Sequence, residues 1–220
     1  MDAVSIRTDL ALEQRELVPE GAPGIESDEL NLGDAHITRI RVTSQEGAEA
    51  LGKPMGTYVT VEVPAFTDDA GLDDTLVTAI KNELSRILPD EGLVLVAGLG
   101  NTRITPDALG PKTAAGVLAT RHITGEIARS AGLGDLRGVA VLAPGVLGQT
   151  GIETSEIIAG IVEKVHPAAV IVVDALASRR LSRLGCTVQM SDSGIRPGAG
   201  VGNARREISK IGRASCRERV

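Results

Sequence analysis

Ala169-Val-Ile-Val-Val-Asp174 is an apolar run that stops at an acid, and it decides the fold that we expect for this chain. A second apolar run, Leu93–Ala97, precedes the loop that contains Asp107. Short runs of this kind are typical of buried strands in a parallel sheet, which present polar side chains at their carboxyl ends. We therefore expect Asp107 and Asp174 to lie at one edge of such a sheet, where they can form an acid–base pair.

Strand-like and helix-like segments alternate through the second half of the chain. The pattern predicts, in this order, strand Leu93–Ala97, helix Pro111–Ile127, strand Gly138–Ala143, helix Glu153–Val165, strand Ala169–Val173, helix Ala175–Leu184 and strand Cys186–Met190. Such alternation indicates right-handed crossover connections. We expect an α/β fold with a mostly parallel, doubly wound sheet and helices on both of its faces.

The first half of the chain has a different pattern. Residues 1–35 are acidic and interrupted by glycine and proline, which predicts an extension or a loop. Strands are predicted at His36–Thr43 and Thr57–Val63, where β-branched residues alternate with polar ones. Apolar residues at helical spacing predict a helix over Leu72–Leu88.

The composition narrows the classes of function. Because 42% of the 220 residues are hydrophobic, the chain can form one sizeable core, and a single globular domain is expected. Aromatic residues make up only 1% and the net charge is -6, which disfavours both stacking on bases and binding to phosphate backbones. No apolar run is long enough for a membrane span, and residues 1–4 lack the features of a signal peptide. We expect a cytoplasmic protein without nucleic-acid or membrane partners.

No metal or other cofactor is predicted. Cys186 and Cys216 lack the spacing of metal ligands and fit a reducing compartment, and the three histidines are far apart in the sequence. Gly98-Leu-Gly100 follows a strand, but the third glycine of a dinucleotide-binding fingerprint would fall at Arg103. The alternative is that these glycines only permit a tight turn.

Asp107 and Asp174 are therefore the candidate catalytic residues. The proline of Thr105-Pro-Asp107 favours a rigid turn that presents Asp107, whereas the alternative is that Asp107 caps the following helix. The glycine-rich stretch Pro144–Ser155 is expected at the same edge, where its polar side chains either bind substrate or cap a helix. A third loop, Ser191–Asn203, is long enough to suggest a function.

The final residues, Ile211–Val220, match one reading frame of a common sequencing adapter. They are excluded from the prediction of the fold, as an artefactual tail would be. We expect the natural chain to continue beyond Lys210, and we do not expect Cys216 to be a natural residue.

Several longer motifs occur along the chain between Ser5 and Asn203. They are Ser5–Ala11, Gly98–Asn101, Thr105–Lys112, Thr120–His122, Pro144–Val146, Thr150–Ser155, Asp174–Ala177, Ser191–Ile195, Pro197-Gly198 and Gly200–Asn203. Together and in this order they resemble the germination proteases of spore-forming bacteria. The resemblance extends from near the first residue to about Ser209.

This resemblance implies an endopeptidase that initiates the degradation of small acid-soluble spore proteins during germination. It implies an atypical aspartic peptidase whose two essential aspartates fall on Asp107 and Asp174, with a fold similar to that of the hydrogenase maturation peptidases. Two nearby carboxylates cannot both ionise cheaply, so one keeps a proton while the other activates water. The resemblance further implies a homotetramer of the full-length protein, located in the spore core.

The segment Ser5–Ala11 resembles both the propeptide junction of this family and the acid-then-apolar site that the family cuts in spore proteins. It implies a self-processing zymogen that is cleaved between Asp9 and Leu10, in a segment that we expect to be accessible. The expected domains are a propeptide over residues 1–9, one peptidase domain over residues 10–210 that is incomplete at its C-terminus, and the tail over residues 211–220.

Two other functions stay open. Peptidyl-tRNA hydrolases have a related fold and also contain Gly-Leu-Gly-Asn and Thr-Arg-His, which occur here at Gly98–Asn101 and Thr120–His122. A non-enzymatic anion-binding module would use the glycine-rich loops as backbone nests. Such a module would need neither Asp107 nor Asp174.

Overall fold

The structure, a computed structural model, describes residues 8–63, 74–123, 125–130, 132, 136–195 and 208. Its helices are α1 (Ala11–Arg15), α2 (Gln45–Leu51), α3 (Asp74–Ile87), α4 (Leu109–Gly116), α5 (Gly125–Ser130), α6 (Leu147–Thr150) and α7 (Thr154–Val165). Its strands are β1 (Ile25–Leu32), β2 (Ala35–Val42), β3 (Gly56–Glu62), β4 (Val94–Gly98), β5 (Val139–Leu142), β6 (Ala169–Val173) and β7 (Thr187–Ser191). Among the described residues, every helix is too short or too polar to span a bilayer.

The chain divides into two compact units. The first contains the described residues up to Ile87 together with Leu176–Gly194. The second contains Leu88–Ala175 together with Ile195 and Ile208.

The first unit is built on a four-stranded antiparallel sheet in the order β1-β2-β3-β7. Successive side chains of a strand point to opposite faces, so β2 contributes to two separate apolar clusters. Ile37 packs with Val61 and with Leu76 of α3. Ile40 packs with Tyr58 in the other cluster, which α1 and α2 complete. The strands predicted around β2 and β3 and the helix predicted around α3 are confirmed.

A buried ion pair fixes α3 to this sheet. Glu83 is only 3% exposed, and the guanidinium of Arg39 donates to its two carboxylate oxygens at 2.8 and 2.7 Å. This hydrogen bonding holds the pKa of Glu83 below its usual value, although burial acts in the opposite direction. Arg39 also donates to Asp28 at 2.7 Å, so one guanidinium joins β1, β2 and α3.

The second unit is built on a three-stranded parallel sheet in the order β5-β4-β6. The central strand β4 is buried along its whole length, because it has a neighbour on each side and helices pack on the sheet. Ala97 of β4 and Leu99 pack against Ile158 of α7 in the core of this unit. The α/β fold class is confirmed, including its parallel strands. The similarity to hydrogenase maturation peptidases stays a prediction.

The strand predicted at Cys186–Met190 is present as β7, but it belongs to the antiparallel sheet. It pairs with β3 from Tyr58↔Ser191 to Glu62↔Thr187. A parallel strand pair requires a long crossover connection, usually a helix. The segment before β7 contains only the 3-10 turn Leu181–Arg183, so the helix predicted over Ala175–Leu184 is wrong.

A buried carboxylate explains why this segment is not helical. Glu13 of α1 is 0% exposed and accepts hydrogen bonds from the N–H groups of Arg179 and Arg180, at 2.8 and 3.0 Å, and from Ser178 Oγ at 3.1 Å. Because a side chain engages these N–H groups, they are not part of a helical ladder. The guanidinium of Arg183 lies 3.3 Å from the same carboxylate and balances its charge.

The helix predicted over Pro111–Ile127 is also wrong, because α4 ends at Gly116 and is followed by a connection that is not helical over residues 117–123. The N–H groups of Thr120 and Arg121 both donate to Val139 O at 3.0 Å. Thr120 Oγ1 in turn donates to Arg137 O and accepts from the N–H of Val139. These bonds attach the connection to the start of β5, which a continuous helix would not permit.

The prediction of a loop over residues 1–35 is wrong for the described part, which contains α1 and β1. Most side chains of β1 are polar and exposed, so its pairing with β2 cannot be recognised from hydrophobic periodicity. The expectation of an accessible Asp9–Leu10 bond is wrong as well, since Leu10 is only 2% exposed. Residues 1–7, the rest of the predicted propeptide, and the tail Ile211–Val220 lie outside the described residues.

We predict that replacing Glu13 with Gln destabilises the protein and reduces its sensitivity to acid. Burial alone would raise the pKa of Glu13, but hydrogen bonds from Thr8, Arg179, Arg180 and Ser178 outweigh it and lower the pKa from 4.5 to about 2. A depressed pKa contributes stability that is complete above pH 4.5 and is lost as the pH falls towards 2. The expected loss near neutral pH is about 3 kcal/mol.

Urea unfolding across this pH range measures the effect. Glu20→Gln is the matched control, because Glu20 belongs to the same unit and is exposed. Equal acid sensitivity of the wild-type protein and the Glu13→Gln variant would contradict the role assigned to this carboxylate.

Candidate active site

Asp107 lies in the loop after β4, at the end of a 3-10 turn over Thr105–Asp107. Its Oδ2 accepts a hydrogen bond from the N–H of Asn101 at 2.8 Å, and its main-chain oxygen accepts from the same N–H at 3.0 Å. The Asp107 side chain therefore forms its hydrogen bond with a residue that precedes it in the loop. The alternative role as a helix cap is not observed, because Ala108 is the N-cap residue of α4 and no side chain caps it.

Gly100 permits the close approach of this loop to Asp107. Its φ is +118°, a region that residues with a side chain rarely adopt. A Cβ at this position would collide with the main-chain oxygen of Asp107 and lie 3.0 Å from its Oδ1. The tight-turn alternative for Gly98-Leu-Gly100 thus agrees with the structure.

Asp174 directly follows β6, the strand that pairs with β4. The last pair of this ladder is Gly98↔Val173, and the N–H of Leu99 donates to Val173 O at 2.8 Å beyond it. Asp174 Oδ1 accepts a hydrogen bond from the N–H of Ala175 at 2.9 Å, which orients the half-buried carboxylate. The two candidate aspartates therefore belong to the ends of neighbouring parallel strands, as the sequence predicts.

Gly110 of α4 joins these two strand ends. A Cβ on Gly110 would lie 2.5 Å from both Leu99 N and Val173 O, so the backbone of α4 contacts both strands directly. Gly98 is equally close, since a Cβ there would collide with Gly110 O. Asp107 is three residues before Gly110 and Asp174 is one residue after Val173, so each aspartate is close in sequence to a residue of this contact.

The glycine-rich loop after β5 reaches the same edge, as predicted. Gln149 of α6 donates from Nε2 to Asn101 Oδ1 at 3.0 Å, and the N–H of Arg103 donates to the same oxygen. Of the predicted polar residues, Thr150 accepts from the N–H of Ile152 and so stabilises its own turn. Glu153 is the N-cap residue of α7 but makes no side-chain cap hydrogen bond.

The described part of the third predicted loop, Ser191–Asn203, begins in the first unit. There Asp192 Oδ1 accepts a hydrogen bond from the N–H of Thr57 at 2.7 Å, and Ser191 Oγ accepts from the N–H of Ser193. These bonds are structural ones at the end of β7. The glycine-rich remainder, residues 196–203, lies outside the described residues.

In the described part of the chain, Cys186 and His166 have structural positions. Cys186 is buried in the first unit, where its Sγ donates to Ser182 O at 3.0 Å. His166 ends α7 in a left-handed conformation with a φ of 51°. Within the described ranges, no three His, Cys, Asp or Glu side chains gather closely enough to hold a metal ion.

Three residues that organise the site were not predicted from the sequence, namely Asn101, Gln149 and Gly110. Asn101 binds Asp107 through its N–H and receives Gln149 through its side chain, while Gly110 determines how close α4 comes to the strands. A signal for Asn101 and Gly110 existed, because both belong to motifs of the family resemblance. Their roles depend on backbone contacts, which a motif does not specify.

Known proteins with similar sequences belong to the same family that the motifs resemble. The sequence profile of a family described as germination protease matches residues 3–213. The germination protease of Caldanaerobacter subterraneus subsp. tengcongensis is 45% identical over 210 residues, which cover 94% of this chain and 64% of that protein. The one from Clostridium perfringens is 42% identical over 214 residues, covering 94% of this chain and 66% of that protein.

A third relative, the germination protease of Priestia megaterium, is 42% identical over 220 aligned residues, which cover 93% of this chain and 59% of that protein. The chain therefore spans less than two thirds of the length of these curated relatives. The matched region includes both candidate aspartates.

We predict that Gly110→Ala destabilises the second unit, because the new methyl group would contact backbone atoms that cannot move away. The expected loss is about 1–3 kcal/mol, the usual cost of overpacking. Gly116→Ala in the same helix is the matched control, since a Cβ there has no neighbour within 4 Å. Chemical unfolding of both variants measures the difference, and equal stabilities would contradict the assigned backbone contact.

Proposed function

The chain belongs to the germination protease family, and on this premise we propose that Asp107 and Asp174 are the water-activating pair of an endopeptidase. The proposed substrates are small acid-soluble spore proteins, which the enzyme begins to degrade during germination. The single observation that supports the pair is the placement of both aspartates after neighbouring parallel strands that meet at Gly110.

Hydrolysis of a peptide bond needs a base that accepts a proton from water and an acid that protonates the leaving nitrogen. Two carboxyl groups at one edge can divide these roles, one as the base and the other as the acid. Main-chain N–H groups of Asn101 and Ala175 orient the two carboxyl groups, so their positions depend on backbone rather than on flexible side chains.

The biological setting is part of the same proposal. We propose a zymogen in which residues 1–9 are the propeptide, residues 10–210 belong to the peptidase domain and residues 211–220 are an artefactual tail. The full-length protein is proposed to act in the spore core as a homotetramer. The family membership supports this setting.

We predict that Asp107→Asn and Asp174→Asn each abolish most of the peptidase activity of the full-length gene product. Asparagine keeps the size and most hydrogen bonds but cannot exchange the proton, so the rate should fall by about 100- to 10,000-fold. Hydrolysis of a small acid-soluble spore protein, followed by gel electrophoresis, measures the rate. Thermal unfolding checks that each variant keeps its fold.

Asp34→Asn is the matched control, because Asp34 is exposed in the turn between β1 and β2. It should keep wild-type activity. Full peptidase activity of Asp107→Asn or Asp174→Asn would overturn the aspartate pair.

We also predict that the zymogen processes itself between Asp9 and Leu10. Cleavage requires proton transfer from water to the leaving nitrogen, which the proposed pair supplies, so processing should depend on Asp107. N-terminal sequencing after incubation at mildly acidic pH should find Leu10 as the new terminus, and this terminus should not form in the Asp107→Asn variant. An active enzyme that retains residues 1–9 would rule out processing at this bond.

A further inference from the structure

The segment around Asp9 lies against the backbone of Ala177 within the first unit. The N–H of Asp9 donates to Ala177 O at 2.8 Å, and the N–H of Ala177 donates to Asp9 Oδ2 at 2.9 Å. Thr8 Oγ1 also donates to Ala177 O, at 3.3 Å. The backbone of Ala177 thus forms hydrogen bonds with both the main chain and the acidic side chain of Asp9.

The carbonyl oxygen of Asp9 has two hydrogen-bond donors. Lys53 Nζ lies 2.8 Å from it and Gln189 Nε2 lies 3.2 Å from it. This carbonyl belongs to the Asp9–Leu10 peptide bond, the bond proposed to be cut. Two donors, one of them charged, stabilise negative charge on such an oxygen, as the donors of an oxyanion hole do.

The residues after this bond are held just as firmly. Gln189 Oε1 accepts the N–H of Ala11 at 2.6 Å, so one side-chain amide contacts the chain on both sides of the Asp9–Leu10 bond. Leu10 and Ala11 are 2% and 0% exposed. The apolar part of the segment is therefore buried, and the acid before it is bound by polar groups.

We propose that Lys53, Gln189 and the backbone of Ala177 form the subsite that binds the acyl side of a cleavable peptide, seen here with the chain's own Thr8–Asp9 bound. The inference rests on the proposed peptidase function. The ligand class is an extended peptide with an acidic residue followed by an aliphatic one. Lys53 and Gln189 are then residues that contact the substrate and determine its position.

The product of cleavage predicts an effect of Lys53 on peptide binding that can be measured. A water oxygen adds to the Asp9 carbonyl carbon, the C–N bond breaks, and the Leu10 nitrogen leaves as an amine that has gained a proton. Asp9 gains an α-carboxylate at the oxygen that Lys53 contacts. A peptide that ends at Asp9 with a free carboxylate should therefore bind this subsite more tightly than the same peptide with a terminal amide.

The binding experiment uses the full-length gene product shortened only by residues 1–9 and carrying Asp107→Asn, which prevents turnover. The probes are the labelled peptides Ser-Ile-Arg-Thr-Asp with a free carboxylate and with a C-terminal amide, and fluorescence anisotropy gives their Kd values. We expect the carboxylate form to bind about 10-fold more tightly. Lys53→Met should reduce this preference to less than about twofold, whereas the exposed Lys81→Met should not change it.

A purely structural role for Lys53 would not produce this result, because loss of stability weakens both peptides alike. Equal Kd values for carboxylate and amide in the unsubstituted subsite, or a preference that survives in Lys53→Met, would overturn the subsite. A second measurement uses the uncut full-length protein, in which Lys53→Met should slow the appearance of the Leu10 terminus by about 10-fold or more and Lys81→Met should not. Unchanged processing in Lys53→Met would also overturn the proposal.

The outcomes separate the subsite from the proposed function. If the carboxylate preference depends on Lys53 but the wild-type protein neither processes itself nor cuts spore proteins, the subsite stands and the peptidase proposal fails. If cleavage depends on Asp107 but both peptides bind equally, the peptidase proposal stands and the subsite fails.

Discussion

The close contact between α4 and the ends of β4 and β6 is the constraint on which the candidate active site depends. Helices in α/β folds normally contact a sheet through side chains, but here the backbone of Gly110 touches Leu99 N and Val173 O. No side chain larger than hydrogen fits at this position. The loop that carries Asp107 ends where α4 begins, so this contact holds the end of that loop against β6, the strand that Asp174 follows.

In the first unit, the buried carboxylate of Glu13 is the constraint that holds distant segments together. Glu13 is surrounded by N–H groups, a hydroxyl and a guanidinium, so its carboxylate is stable without water. A buried carboxylate of this kind is costly if any partner is lost, because the remaining charge has no solvent to stabilise it. Glu13 therefore fixes the start of α1 to the segment before β7.

The contacts around Asp9 differ from those of an ordinary chain terminus. A terminal segment is usually poorly ordered unless it is tied down. Here the side chains of Lys53, in the turn after α2, and of Gln189, in β7, converge on one carbonyl group, and Ala177 binds the acid that precedes the bond. Recognition of a main-chain carbonyl and of an acidic side chain by separate donors is what a subsite for an acid-containing peptide requires.

The sequence by itself determined the α/β class, the parallel strands β4, β5 and β6, helix α7 and the placement of Asp107 and Asp174 at strand ends, because short apolar runs and helical periodicity are local signals. It did not determine that Thr187–Ser191 pairs with β3, that Ala175–Leu184 is not a helix or that Pro111–Ile127 is broken. Those outcomes depend on partners far along the chain, namely the carboxylate of Glu13 for Arg179 and Arg180 and the carbonyl of Val139 for Thr120. Only the tertiary structure decided them, because a hydrogen bond between distant residues leaves no periodic trace in either segment.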